Sequence, residues 1–140
     1  MATHVVITEH DPSVRSAMCN ALEYNGYRVA AFADADKALH FAKANSESVD
    51  LVIAGPQAQK HLAHIELLRA AKADLDLPVV LGPDALAKQS PDISMADAVL
   101  PNDWHLDDLL RVCREVLRKE EKIDSFLAHE RKRLGQTKGE

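Results

Sequence analysis

Asp50-Leu51-Val52-Ile53-Ala54-Gly55 decides the fold. Four apolar residues follow one another with no polar alternation. That is the habit of a strand covered on both faces, as in the middle of a parallel sheet. Gly55 and Pro56 then end the run and open a loop, 55–60.

Working outward, the same unit recurs. Val5-Val6-Ile7-Thr8 is a second short apolar run. Asp11-Pro12 after it reads as a helix N-cap followed by proline at the first helical position. Val14, Ala17, Met18, Ala21 and Leu22 recur at helical spacing, and Asn25-Gly26 closes that helix. Tyr27 to Phe32 is a strand. Asp34 caps a helix with Ala38, Leu39, Phe41 and Ala42 inward. Beyond the central run, a helix is expected over His61–Ala73 with Leu62, Ile65, Leu68 and Ala71 on one side. Pro78–Leu81 and Ala98–Leu100 are further strands, with Gly82-Pro83 breaking the first and Pro91 limiting what lies between. The last helix opens near His105.

Strand and helix alternate five times without a hairpin signal. Right-handed crossovers then build a five-stranded parallel sheet between helical layers. The expected class is α/β, a flavodoxin-like three-layer sandwich of strand order 2-1-3-4-5, with an extended C-terminal helix. Sites in such folds lie beyond the carboxyl ends of strands one and three, where the order reverses.

Composition narrows the function. The chain has 140 residues, 46% apolar, with no apolar run long enough to span a bilayer. Its start has no signal-peptide pattern, so a cytoplasmic location is expected. Residues 1–117 carry 10 Lys+Arg against 17 Asp+Glu, while residues 118–140 carry 7 against 5. An acidic body argues against nucleic acid as a partner. Cys19 and Cys113 share no metal-ligand spacing and read as reduced core residues. There is no G-x-S-x-G elbow, phosphate loop or dinucleotide fingerprint. No enzyme activity, cofactor or metal is expected. A site built from His10, His61 and Glu9 is geometrically conceivable, but solvent-facing histidines are the simpler reading of the seven present.

Taken in order, Asp11-Pro12-Ser13-Val14-Arg15, Asn25-Gly26-Tyr27-Arg28-Val29, Val49-Asp50-Leu51-Val52-Ile53, Leu77-Pro78-Val79-Val80 and Asp107-Asp108-Leu109-Leu110 resemble a response-regulator receiver domain of the CheY-like family over residues 4–119. The resemblance implies a phosphoryl-accepting switch in two-component or phosphorelay signalling, and it also locates that switch. The acid pair after the first strand aligns with Glu9 and His10, so one carboxylate is replaced by imidazole. The acceptor aspartate aligns with Gly55. The hydroxyl residue after the fourth strand aligns with Pro83, or with Gly82 if the alignment slips by one. The Lys-Pro pair aligns with Asn102-Asp103, and the aromatic switch position with Val99. Asp50 is no substitute acceptor, because it starts the strand, roughly 16 Å from the tip at strand rise. The reading is a degenerate pseudo-receiver with the vacated pocket Glu9, His10, Gly55, Pro83 and Asn102.

The chain continues beyond the receiver's usual end. No Pro or Gly interrupts residues 105–134, which would extend ~45 Å as helix. Leu109, Cys113, Val116, Glu120, Ile123, Leu127, Glu130 and Leu134 alternate at spacings of four and three, a heptad seam with two polar breaks. The expected organisation is a domain over 1–119, a helical extension over 120–134 and a disordered tail over 135–140. Trp104, Cys113, Val116, Ile123, Phe126, Leu127 and Leu134 form the expected interaction surface. The expected function is that of a stand-alone receiver-like protein. It would act through protein partners, and through a homodimer of the last helix, without phosphorylation and with no membrane contact. The alternative is a small-molecule or metal sensor that uses the vacated pocket.

Overall fold

The computed structural model describes residues 2–55, 61–82, 96–101 and 103–119, with the backbone alone at 61, 62 and 64. Five strands, β1 (His4–Thr8), β2 (Arg28–Phe32), β3 (Leu51–Ala54), β4 (Val79–Leu81) and β5 (Ala98–Val99), form one sheet of order β2-β1-β3-β4-β5. Every pairing is parallel, with Val5 opposite both Val29 and Leu51, and Ile53 opposite Val80. The order and the class agree with the sequence expectation.

Successive residues of a strand face opposite ways, so the sheet divides the core in two. Val5, Ile7, Leu51, Ile53 and Val80 pack with Met18 and Leu22 of α1 (Pro12–Tyr24) and with Leu109, Val112, Cys113 and Val116 of α4, residues 106–119. Val6, Val52, Ala54, Val79 and Leu81 face the other way. They pack with Ala35 and Ala38 of α2 (Ala35–Ala44) and with Leu67 and Leu68 of α3 (His61–Arg69). Among the described residues no helix is long and apolar enough to cross a membrane.

Local chemistry sets the helix ends. Asp11 Oδ1 accepts from the amides of Ser13 at 2.9 Å and Val14 at 3.3 Å, with Pro12 in the first helical position. At the other end the Tyr27 amide reaches the Leu22 carbonyl and the Gly26 amide reaches Glu23, a Schellman closure. It requires the left-handed backbone that Gly26 supplies at φ 91°. In α4 the carboxylate of Asp108 accepts from the His105 amide at 2.8 Å, which caps the first turn.

The helix expected over His61–Ala73 ends differently. After Arg69 it widens into a π-helical turn, Ala70–Asp74, in which the Leu75 amide bonds the Ala70 carbonyl at 2.9 Å. The left-handed Asp76 follows at φ 52°. The extra residue and the reversal together bring Leu77 under the sheet, where it is buried beside Ala71. Leu67, absent from the expected inward set, is fully buried, and Ile65 is only half-buried. The expected extension, 120–134, and tail, 135–140, lie outside the described residues.

Candidate functional site at the carboxyl ends of the strands

Glu9 follows β1 and Gly55 follows β3, so the two meet where the strand order reverses. The Gly55 amide donates to the Thr8 carbonyl at 2.7 Å, and the Glu9 amide to Phe32 at 3.0 Å. Arg15 Nη1 donates to the Glu9 carbonyl at 2.8 Å, so the guanidinium holds the main chain of Glu9. The Glu9 carboxyl then turns inward over Gly55.

That placement leaves no room for a side chain at 55. A β-carbon there would overlap Glu9 Oε2, stand 3.2 Å from Glu9 Cδ and lie 2.9 Å from the Thr8 carbonyl oxygen. The carboxylate could swing away, but the carbonyl belongs to the sheet. Gly55 is therefore a packing requirement: its hydrogen is what lets Glu9 lie across the end of β3.

Glu9 is only 5% exposed. Burial pushes its carboxyl above the usual range, against smaller opposing effects from the Asp11 amide, His10 and Arg15. Its direct partners are few. Oε1 accepts from the Asp11 amide at a long 3.4 Å and stands 3.8 Å from His10 Nδ1. The His10 side chain is 63% exposed, so this is a rim contact in water. Thr8, just before it, is fully buried, and its Oγ1 has no hydrogen-bond partner among the described residues.

Beside Glu9 lies a cavity of about 170 Å³, lined also by Val14, Met18, Ile53, Ala54, Gly55, Gly82, Leu100 and Trp104. Its walls are apolar side chains and backbone, and Glu9 is the one charged residue among those described. A larger groove of about 540 Å³ lies at the opposite end of the sheet, between Thr3, Tyr27, Asp50, Asp76, Arg114 and Arg118. There two acids face two bases, at the end where parallel α/β sheets do not place their sites.

Among the described residues the donor set at the carboxyl end does not suit a hard divalent cation, which needs several oxygens in octahedral array. Glu9 offers a carboxylate, Gly55 offers no side-chain oxygen, Asp11 caps α1 and His10 offers imidazole nitrogen in place of oxygen on a largely exposed ring. No three His, Cys, Asp or Glu side chains converge as metal ligands among the described residues. The side chain of His61 is not among them.

No family model matches the chain. No curated protein matches it either. Solved structures do. A response regulator receiver domain protein from Clostridium thermocellum is 18% identical, with 86% of this chain and 98% of that one covered at a TM-score of 0.73. A CheY-like receiver domain protein from Methanospirillum hungatei is 23% identical over 87% and 98% at 0.72. The chemotaxis response regulator CheY4 of Vibrio cholerae is 19% identical over 83% and 99% at 0.68. This is the receiver fold.

Within the receiver fold the expected pocket residues fall as follows. Glu9 and Gly55 come together, and His10 sits at their rim, largely exposed, with Nδ1 3.8 Å from the Glu9 carboxylate. Pro83 and Asn102 lie outside the described residues. Asp50 stands at the far end of β3, where Oδ2 accepts from the His4 amide at 2.9 Å. Trp104 is half-buried and closes one side of the cavity.

The expected interaction surface needs a correction. Cys113 is fully buried and Val116 is 4% exposed, both in the core between α4 and the sheet. Their stripe is consumed by the chain's own domain, because the first half of the seam lies against β1, β3 and β4 rather than beyond them. Burial also pushes the Cys113 thiol up to about 12, which keeps it inert. Ile123, Phe126, Leu127 and Leu134 lie outside the described residues.

The cavity lining carries no signature of its own in the sequence. Val14, Met18, Ile53 and Leu100 carry ordinary core periodicity, and nothing local separates a residue that fills the core from one that borders a void. Arg15 was equally unmarked. Its only signal is position, four residues after the Asp11 cap and on the side of α1 that faces the end of β1.

Proposed function

We propose that the chain is a degenerate receiver that serves a two-component or phosphorelay pathway through protein contacts, without phosphoryl transfer. What carries the reading is Glu9 lying across Gly55. Phosphoryl transfer to a receiver needs a nucleophile, a metal and a balancing cation. At this end Gly55 supplies no nucleophile, and one buried carboxylate stands in the space that an acceptor side chain would need. No Lys or Arg is among the described residues that line the cavity.

Output through contact fits the surface of the last helix and the adjoining sheet edge. Ala98 and Val99 form a two-residue edge strand, half-buried. Leu106 is 38% exposed at the start of α4, with Leu110 half-buried one turn on. The heptad spacing of the buried Leu109, Cys113 and Val116 continues in the sequence through Ile123, Leu127 and Leu134, an apolar stripe beyond the core stretch that suits a partner helix, most simply a second copy of the chain.

Sedimentation of the full chain, with and without acetyl phosphate and magnesium, tests both parts. Self-association that is indifferent to phosphodonor, and lost on truncation after Lys119, is the expected result. The described core residues all lie before that point. A monomer that associates only with phosphodonor would overturn the reading.

A further inference from the structure

The cavity at the carboxyl end has a chemistry that the receiver switch does not explain. Its volume is about 170 Å³. Apolar cavities of about 150 Å³ take up one benzene-sized molecule. Val14 and Met18 of α1, Ile53 of β3, and Leu100 and Trp104 of the β5–α4 connection supply an apolar and partly aromatic wall. Among the described lining residues the single charged group is the Glu9 carboxylate, 5% exposed.

That carboxylate has capacity to spare. Two oxygens can accept about four hydrogen bonds. The described residues supply one amide at 3.4 Å and one exposed imidazole at 3.8 Å. Arg15, the nearest guanidinium, bonds the Glu9 carbonyl instead. A desolvated carboxylate in this condition favours any donor, and most of all a cation, that enters beside it. An anion would meet repulsion and no basic side chain among the residues described.

We propose that this cavity binds a compact apolar ligand, about one aromatic ring in size, whose single protonated amine faces Glu9. The ring lies between Met18 and Trp104, and the amine takes the free acceptor sites of the carboxylate. The proposal rests on the reading of this end as emptied of phosphoryl chemistry, because an acceptor side chain at 55 would displace Glu9 from the cavity wall.

Trp104 is the only tryptophan of the chain, so its indole N–H gives one unambiguous reporter in an NMR titration. The probes are benzylamine, toluene and benzoate, added to the full-length protein. Benzylamine should move the indole signal saturably and bind about tenfold or more tighter than toluene, as a charge-assisted hydrogen bond implies. Benzoate should not move it. Glu9→Gln should bring benzylamine down to the toluene level while leaving toluene unchanged. Val14→Phe should fill the cavity and remove both responses. If that variant loses its fold, Glu9→Gln still decides.

No saturable response to benzylamine, equal affinity in Glu9→Gln, or benzoate binding as tightly would each overturn the proposal. So would benzylamine shifts centred on the opposite groove around Arg114 and Asp76. None of these outcomes bears on phosphoryl transfer, which is read separately by intact mass, so either idea can fail alone.

Discussion

The two ends of the sheet are built from the same strands and treat their polar groups differently. At the amino end, His4 is 3% exposed and every contact around it is mutual. Its amide donates to Asp50 Oδ2 at 2.9 Å, its carbonyl accepts from the Asp50 amide at 2.8 Å, and Nδ1 meets Ser48 Oγ at 3.5 Å. The ring stands edge-on to Phe41 with centroids 5.6 Å apart. At the carboxyl end, Thr8 Oγ1 has no partner among the described residues, and Glu9 is buried with one long hydrogen bond. Buried polar groups in folded proteins are normally satisfied, and exceptions gather at functional sites. The amino end holds the fold together. The carboxyl end carries cost that the fold alone does not need.

The strongest way to break this contrast is to crowd the carboxyl end. Gly55→Asp brings a second carboxyl against Glu9 and a β-carbon against the Thr8 carbonyl. It should lower unfolding free energy by roughly 2–4 kcal/mol. Adding Glu9→Ala in the same chain should restore half of that or more, a non-additivity readable by urea unfolding. Full additivity would mean that the two positions do not compete for one space.

The middle-sized effects have opposite signs at the two ends. Asp50→Ala removes the acceptor of the His4 amide and should cost about 1 kcal/mol. Thr8→Val removes a buried hydroxyl that has no partner among the described residues, and should stabilise by up to ~1 kcal/mol. If both substitutions destabilise equally in the same urea series, the contrast between the ends is gone.

Much of the fold was legible because its signals are local. Asp11-Pro12 specifies a cap and a first helical residue, and both sit where expected. Gly26 closes α1 by the one backbone conformation that favours glycine. Leu51–Ala54 forms β3 with the expected ends, since a run of four apolar residues in an α/β chain leaves few alternatives. The turn at Ala70–Asp74 was not legible. Ala70, Ala71 and Ala73 suit a regular helix as well as a π turn, and the choice is made by Leu77 reaching a distant core. Gly55 was legible as an absence but not as a requirement. What it accommodates is Glu9, forty-six positions earlier in the chain, and only the meeting of β1 and β3 reveals that.

The smallest effect separates the ends by acid. Burial, with Arg28 nearby, lowers the pKa of His4 from its ordinary 6.5, so the unfolded chain binds its proton first. Stability from this residue is complete above about pH 6.5 and declines as pH falls toward the folded value. Glu9 has the opposite sign. Its raised pKa gives a contribution present below 4.5 that is lost as pH rises through the folded value. Melting temperature between pH 7.5 and 5 should therefore lose part of its acid slope in His4→Leu and keep or steepen it in Glu9→Gln, where the opposing contribution is removed.

The central claim is that Glu9 and Gly55 close the acceptor position against phosphoryl chemistry. Intact-mass measurement of Gly55→Asp after acetyl phosphate and magnesium tests it most directly, with the unaltered chain alongside. Both should show no phosphoryl adduct. A clean single adduct on Gly55→Asp alone would mean that an aspartate suffices to restore the switch, and would contradict the account.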